Sequence, residues 1–428
     1  MKKVISKRKN SNILQILAWC LYDCASASFS IIVVTFIFAT YFTTKVAENQ
    51  ILGTYQWANA MSLAGIIIAL SSPLVGAIAD HGGHHKRWLF CFTMVCVIAS
   101  FTLWYAYPDA KYVYTTLAAV VVGSIGFEVA LVFYNSFLPG LAPKAYVGRI
   151  SGWGWGFGYL GGILSLSIAL FVFVKSSWLD TASAEQIRIC GPFTAIWFFL
   201  FSLPLFFLVP EISPTSKPLG EAVRAGCKEL LSTIKKMPQE KNITLYLLSH
   251  MIYTDGLNTL FAFGGIYAAG TYGLTFEQVL MFGITMNITA GIGAMSLGWV
   301  DDYLGSKLTV IISLICLTIF GVPLLFLHDK YVFWGVALVL CLFVGPVQSA
   351  SRSIMVRLIA EKNMSAEMFG LYALSGKITA FIGPWLLGMM TMAFASQRVG
   401  MATVLVFFVI GALLLLPVKV KQTVFQPG

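Results

Sequence analysis

Uninterrupted apolar runs of about 20 residues recur along the whole chain, and they restrict its fold more than any other feature. A helix rises about 1.5 Å per residue, so a run of that length crosses the ~30 Å hydrocarbon core of a bilayer. A soluble helix of the same length would show one apolar and one polar face instead. Runs bounded by Gly, Pro and charge clusters fall near 13–43, 55–79, 87–107, 112–138, 150–174 and 190–209. A second series falls near 243–270, 276–300, 306–327, 331–357, 367–394 and 397–417. The pattern predicts an all-α integral membrane protein of twelve transmembrane helices in two pseudo-symmetric six-helix bundles. Composition agrees, because only 11% of the 428 residues are charged, against about 25% in ordinary soluble domains.

The placement of Lys and Arg gives the orientation, since cytoplasmic loops hold the excess. With the N-terminus inside, the outer side keeps only Lys45, Lys111, Lys175, Arg188, Lys330 and Arg398, while Lys377 falls within a run. The remaining 21 of 28 basic residues lie inside. Both termini are therefore expected in the cytoplasm. The net charge of +10 is a topology signal and calls for no nucleic-acid partner. The basic stretch Met1 to Asn12 precedes a run too long for a signal peptide, so no cleavage is expected.

The eight cysteines are scattered without metal-ligand spacing or the density of a disulfide framework, and read as small buried hydrophobes. The longest polar stretch divides the chain into an N-terminal bundle, 1–209, a cytoplasmic linker, 210–241, and a C-terminal bundle, 242–428. Within the linker Leu219, Val223, Cys227, Leu230 and Ile234 recur at helical spacing among Arg224, Lys228, Lys235 and Lys236. That spacing predicts an amphipathic helix along the inner leaflet.

Two loops repeat one pattern. After the second run come Gly76, Asp80, Gly83, Lys86 and Arg87, and after the eighth come Gly298, Asp302, Gly305 and Lys307. These spell GxxxDxxGxxK and GxxxDxxGxK at equivalent places in the two halves. Gly permits close approach and turning, while Asp caps a helix or pairs with the cations that follow. Gly148 and Gly161-Gly162 likewise match Gly370 and Gly383-Pro384, and Asp23 and Asp255 lie at similar depths in the first run of each half. Parallel halves of this kind place a binding site near the midplane between them.

These loops resemble the signature of the major facilitator superfamily. Further residues are similar to its vacuole-effluxer branch, which includes the fungal autophagy-related amino-acid effluxers: Trp19 to Ala27, Tyr253 to Thr259, and Gly345 to Ser353 running on to Phe369-Gly-Leu-Tyr372. The resemblance implies a secondary transporter working by alternating access, with the first, fourth, seventh and eleventh helices bordering a central cavity. The chain departs from the branch in carrying Cys24 and Ser26 where Trp and Asn are usual, and His81, His84 and His85 where Arg or Lys is usual. The His residues read as substitutions within a gating loop.

Four charged residues, Asp23, Glu128, Asp255 and Lys377, sit roughly 15–20 Å from the polar ends of their runs, near the bilayer centre. Each costs at least about 2.5–3.5 kcal/mol there without a partner or a wet cavity. In the implied fold they converge. Lys377 then receives a substrate carboxylate or pairs with Glu128, while Asp23 and Asp255 bind an ammonium group or carry coupling protons. Alternatively the four pair off and fix helix packing. Asn135, Asn258, Asn287 and Gln348 read as interhelical hydrogen bonds or substrate contacts, and Arg352 as a gate or as a side chain reaching the interface. Gly154, Gly158 and Gly162 allow a close helix approach in the fifth run.

Gly370 to Lys377 fails the phosphate-loop pattern, because five residues separate the glycines and Ile378 follows the Lys. No HExxH or GxSxG motif indicates an enzyme, and no cofactor or metal is implied. The sequence thus predicts a transporter of a small solute, with an amino acid favoured, driven by a proton or sodium gradient. It is expected to be monomeric and to reside in a bacterial inner membrane. The competing reading is a receptor or scaffold that keeps the fold without transport.

Overall fold

The computed structural model describes residues 13–176, 179–212, 218–359 and 365–420. The basic segment 1–12, Lys217, Lys362 and Lys421 lie outside the described residues. Every regular element among the described residues is helical. Ten segments are long and apolar enough to cross a bilayer by length and composition. They are α1 (Ile13–Val46), α2 (Gln50–Gly82), α3 (His85–Tyr105), α4 (Ala110–Leu141), α5 (Val147–Val174), α6 (Glu185–Leu208), α8 (within Phe276–Leu304), α9 (Ser306–Leu324), α10 (Lys330–Ile359) and α12 (Gln397–Leu415).

The other two expected runs are the polar ones. Helix α7, Lys241–Tyr272, carries Ser249, His250, Asp255 and Asn258. The run expected over 367–394 is not one helix. It forms α11a, Ser365–Lys377, and α11b, Ile382–Ala393, with turns at 378–381 between them. Pro384 explains the break: it has no N–H, and its ring excludes the carbonyl one turn earlier.

Large apolar side chains such as Ile66, Leu70, Phe207 and Leu413 remain exposed, as lipid contact requires. Buried contacts instead favour aromatic stacks and small residues. Trp19, Tyr22, Phe133 and Tyr134 fill the first six helices, and Tyr246, Tyr253 and Phe333 the last six.

The turns after α2, α4, α8 and α10 share one end of the molecule, the basic face, with the end of α12, where Lys419 N donates to Asn242 Oδ1 at 3.1 Å. On that face α2 packs against α11a, and α5 against α8 and α10. Toward the opposite face the two sets separate around a cavity of about 890 Å³. Its walls come from α1 (Thr35, Phe36, Ala39), α2 (Trp57), α7 (Asn258, Phe261, Ile266) and α8 (Val279). A π-helical stretch, Phe29–Phe36, shapes the α1 wall.

The linker helix, Leu219–Lys236, forms where its spacing predicted. It docks on the basic end of α2: Ala222 is buried there, and a Cβ at Gly226 would come within 2.8 Å of the Ile78 backbone. Val223 and Ile234 stay exposed.

Candidate functional site

Asp80, at the end of α2, receives hydrogen bonds from the first-turn amides of α11a, Ala366 N at 3.2 Å and Glu367 N at 2.8 Å. It also meets His85 Nε2 at 2.9 Å. A carboxylate at a helix N-terminus satisfies unpaired donors and opposes the helix dipole. The helices can meet because residue 76 is Gly, where a Cβ would lie 2.4 Å from Ala366 O. Gly83 follows with φ +71°, a left-handed turn suited to glycine.

Asp302, near the end of α8, does the same for α5. It accepts from Gly148 N at 2.8 Å, Arg149 N at 3.3 Å and Arg149 Nε at 2.7 Å. Its neighbour Asp301 pairs with Arg357 at 3.2 Å. Gly298 permits the approach, since a Cβ there would lie 2.9 Å from Arg149 Cα, and Gly305 turns with φ +89°. The repeated loops thus build two clamps, each tying one six-helix set to the first turn of a helix in the other. Lys86 and Lys307 play supporting parts, donating to Val209 O at 2.7 Å and Leu416 O at 2.6 Å. Arg87 is exposed.

Between the clamps and the cavity lies a buried charge pair. Arg352 of α10 does not reach the interface; it is 3% exposed. Its NH1 lies 3.3 Å from Asp23 Oδ2 and 3.2 Å from Asn135 Oδ1. It also donates to Ser151 Oγ at 2.9 Å and Ser151 O at 2.7 Å. The guanidinium faces the rings of Trp19, Tyr134 and Trp155 at 4.7, 5.7 and 5.8 Å. Five donors in a rigid fork suit Arg to such a site. Tyr134 OH completes the shell, donating to Asp23 Oδ2 at 2.8 Å. The side chain has no straight path to the interface because its partners on α1, α4 and α5 surround it.

The four midplane charges do not form one cluster. Asp23 pairs with Arg352, while Lys377 Nζ meets Glu128 Oε1 at 2.6 Å. The Lys377 and Glu128 side chains stay 35% and 19% exposed, against 4% for Arg352. Asp255 stands apart, accepting from Gly383 N at 3.0 Å. Asn258 lines the cavity, and Gln348 accepts from Tyr159 OH at 2.6 Å. Asn287 spends its amide within its own helix, on Gly283 O at 2.8 Å. Sequence reading missed Ser151, Trp155 and the Tyr134 hydroxyl; the adjacent polar pair Tyr134-Asn135 within an apolar run was the available signal.

Two bundles, a cavity between them and paired Gly-Asp clamps define a major facilitator transporter. The fold matches that of XylE, a proton:xylose symporter, with TM-score 0.74 and 13% identity over 96% of both chains. It also matches FucP, a transporter of this superfamily in the outward conformation, with TM-score 0.74 and 14% identity over 96% of this chain and 98% of that one.

The chain matches the family described as vacuole effluxer Atg22 like over residues 58–426, and it belongs to that family. It is 26% identical to the uncharacterized MFS-type transporter YxiO of Bacillus subtilis, over 97% of this chain and 95% of that one. Autophagy-related protein 22 of Pichia angusta is 24% identical over 73% of this chain and 65% of its own length. The protein is therefore a multi-pass membrane transporter of the Atg22-like branch, and not an enzyme.

Proposed function

We propose that the protein moves a small zwitterionic solute, an amino acid, across a bacterial inner membrane by proton-coupled alternating access. The observation that carries this reading is the buried Arg352–Asp23 contact at 3.3 Å, which joins the two six-helix sets between the cavity and the basic face. A contact of that kind is made when the basic side is shut and must part when it opens. Residues 1–209 and 242–428 act as the two moving bodies, the 210–241 linker connects them, and the basic face with both termini is cytoplasmic. The cavity volume falls within the usual range of small-ligand sites.

Glu128 and Lys377 offer an acid and a base side by side, matching the ammonium and carboxylate of an amino acid. Their partial exposure makes this pair the accessible one. Solute charges replace each partner in turn, while Asn258 and the aromatic wall hold the side chain. Two structural relatives are named as proton symporters, and the family is named for vacuolar efflux; both support a coupled carrier.

The test is counterflow in proteoliposomes against a metabolite panel, with and without a pH gradient. Exchange of an amino acid, raised by an inwardly directed proton gradient, is the expected result. Binding of a solute with no movement would instead favour a receptor.

A further inference from the structure

Helix α11 is broken where it passes α7, and the two pieces are held by different groups of that one helix. On α11a, Ser375 Oγ and His250 Nδ1 are 2.7 Å apart, and Tyr372 lies over the same imidazole with ring centroids 4.0 Å apart. On α11b, Gly383 N donates to Asp255 Oδ2 at 3.0 Å. His250 and Asp255 are both buried. They stand five positions apart on α7, about 7.5 Å along its axis. The break is thus bracketed by two titratable side chains.

Asp255 differs from the carboxylates that are paired with a permanent cation. Asp23, Glu128, Asp301 and Asp302 each face Arg or Lys. Among the described residues no cation lies within 4.0 Å of Asp255, which is 1% exposed, and its Oδ1 is buried without a hydrogen-bond partner. Contact with α11b is close: a Cβ at Gly383 would fall 2.1 Å from Thr259 Oγ1 and 2.9 Å from Asp255 Oδ1. The neighbouring elements offer Asp255 no free counter-charge. Helix α11b has no titratable residue. Helix α11a brings Glu367 at its clamp end, Tyr372, and Lys377, the last held by Glu128. Helix α10 brings Arg352, held by Asp23, and Arg357, held by Asp301. The only charge on α12 is Arg398, bonded to Leu325 O and Leu327 O. On α8, Asp301 and Asp302 sit at the basic end with Arg357 and Arg149. Tyr246 and Tyr253 of α7 itself are bonded to Ser351. Asn258, one turn away, lines the cavity and is the point of α7 nearest Asp255 that does so.

We propose that Asp255 is the proton-binding carboxylate of the transport cycle, and that its protonation releases α11b from α7. The inference rests on the proton-coupled reading above and assigns the coupling site within it. A proton arriving from cavity water forms an O–H bond at Oδ1, and the water that delivered it is left neutral. The neutral acid is a weaker acceptor for Gly383 N–H and no longer opposes the dipole of α11b. When α11b lets go, α11a is still tied through His250 at one end and the Asp80 clamp at the other, so the break becomes the hinge through which the release reaches that clamp next. An ion acting at midplane is thereby linked to the basic-face gate.

The test uses the full chain in lipid nanodiscs with no solute added. Hydrogen exchange across 379–390, corrected for the intrinsic pH dependence of exchange, is followed from about pH 8 to pH 5. Protection in the native protein is expected to fall about tenfold toward acid, to be pH-independent in Asp255→Asn, and to keep its pH dependence in Glu128→Gln. An infrared pH-difference spectrum should carry a protonated-carboxyl band that changes frequency in Asp255→Glu, which serves if the Asn variant does not fold. The proposal is overturned by pH-independent protection in the native protein, by unchanged pH dependence in Asp255→Asn, by an unshifted band in Asp255→Glu, or by protection that follows sodium at fixed pH. Since no solute moves, absent counterflow would fault the transport reading alone, and pH-independent exchange this assignment alone.

Discussion

The two basic-face clamps use one backbone device with two different charge sets. Asp80 and Asp302 each cap the first turn of a helix from the other half, across a glycine crossing. Around Asp302 the remaining partners are permanent cations: Arg149 at 2.7 Å, and Arg357 at 3.9 Å while it also holds Asp301 at 3.2 Å. Around Asp80 the remaining partner is His85, at 2.9 Å. A buried cap shared with permanent cations is expensive to break, because parting it leaves the Asp302 charge uncompensated. A cap shared with an imidazole is not. The α8–α5 clamp is therefore expected to act as the persistent joint, and the α2–α11a clamp, which continues into the broken helix, to yield first.

Asp302→Ala should have the largest effect, lowering stability of the basic-closed form by about 3 kcal/mol, because half-buried Arg149 and Arg357 lose a buried acid. Thermal unfolding in detergent measures it, and a loss no larger than that of Asp80→Ala would erase the distinction between the clamps. Gly76→Ala comes next, at about 1–3 kcal/mol, because its Cβ meets a backbone oxygen that cannot rotate away. It should reduce the yield of a disulfide engineered between α2 and α11a, whereas the same cross-link should form normally in Gly298→Ala. Asp80→Asn should cost about 1 kcal/mol, the usual value of a lost cap. His85→Arg is the smallest and has the opposite sign: a permanent cation beside Asp80 should raise the unfolding midpoint by an amount equivalent to ~1 kcal/mol or less. A lower midpoint in that variant would mean that Asp80 needs a ring at position 85.

The membrane spans were legible because apolar runs of bilayer length have few other physical solutions, and the clamps because Gly and Asp recur at fixed spacing in both halves. What Asp80 and Asp302 bind was not legible. Their partners are backbone amides of Ala366, Glu367 and Gly148, and an amide donor leaves no mark on residue type. Arg352 kept two readings, a gate or a side chain reaching the interface, for a related reason. A long cation near a helix end suits the interface as well as it suits a cage, and only the approach of α1, α4 and α5 decides between them. The α11 break was written in Gly383-Pro384, yet the same pair also reads as a packing contact within a continuous helix. Contact with Glu128 was one of two readings of Lys377, beside a substrate carboxylate, and the two side chains do meet. The separation of Asp255 from the charges of the other described residues depends on helix rotation, which spacing alone does not fix.

The central claim is that the two six-helix sets rock about the midplane, closed on the basic face in the form seen here and open on the other. Double electron–electron resonance between spin labels at the basic ends of α2 and α11a, and separately at the opposite ends of α1 and α7, tests it in nanodiscs. In the Asp80→Asn/Asp302→Ala protein the account predicts a longer basic-face distance together with a shorter opposite-face distance. Distances that both lengthen, or that change on one face only, would contradict it.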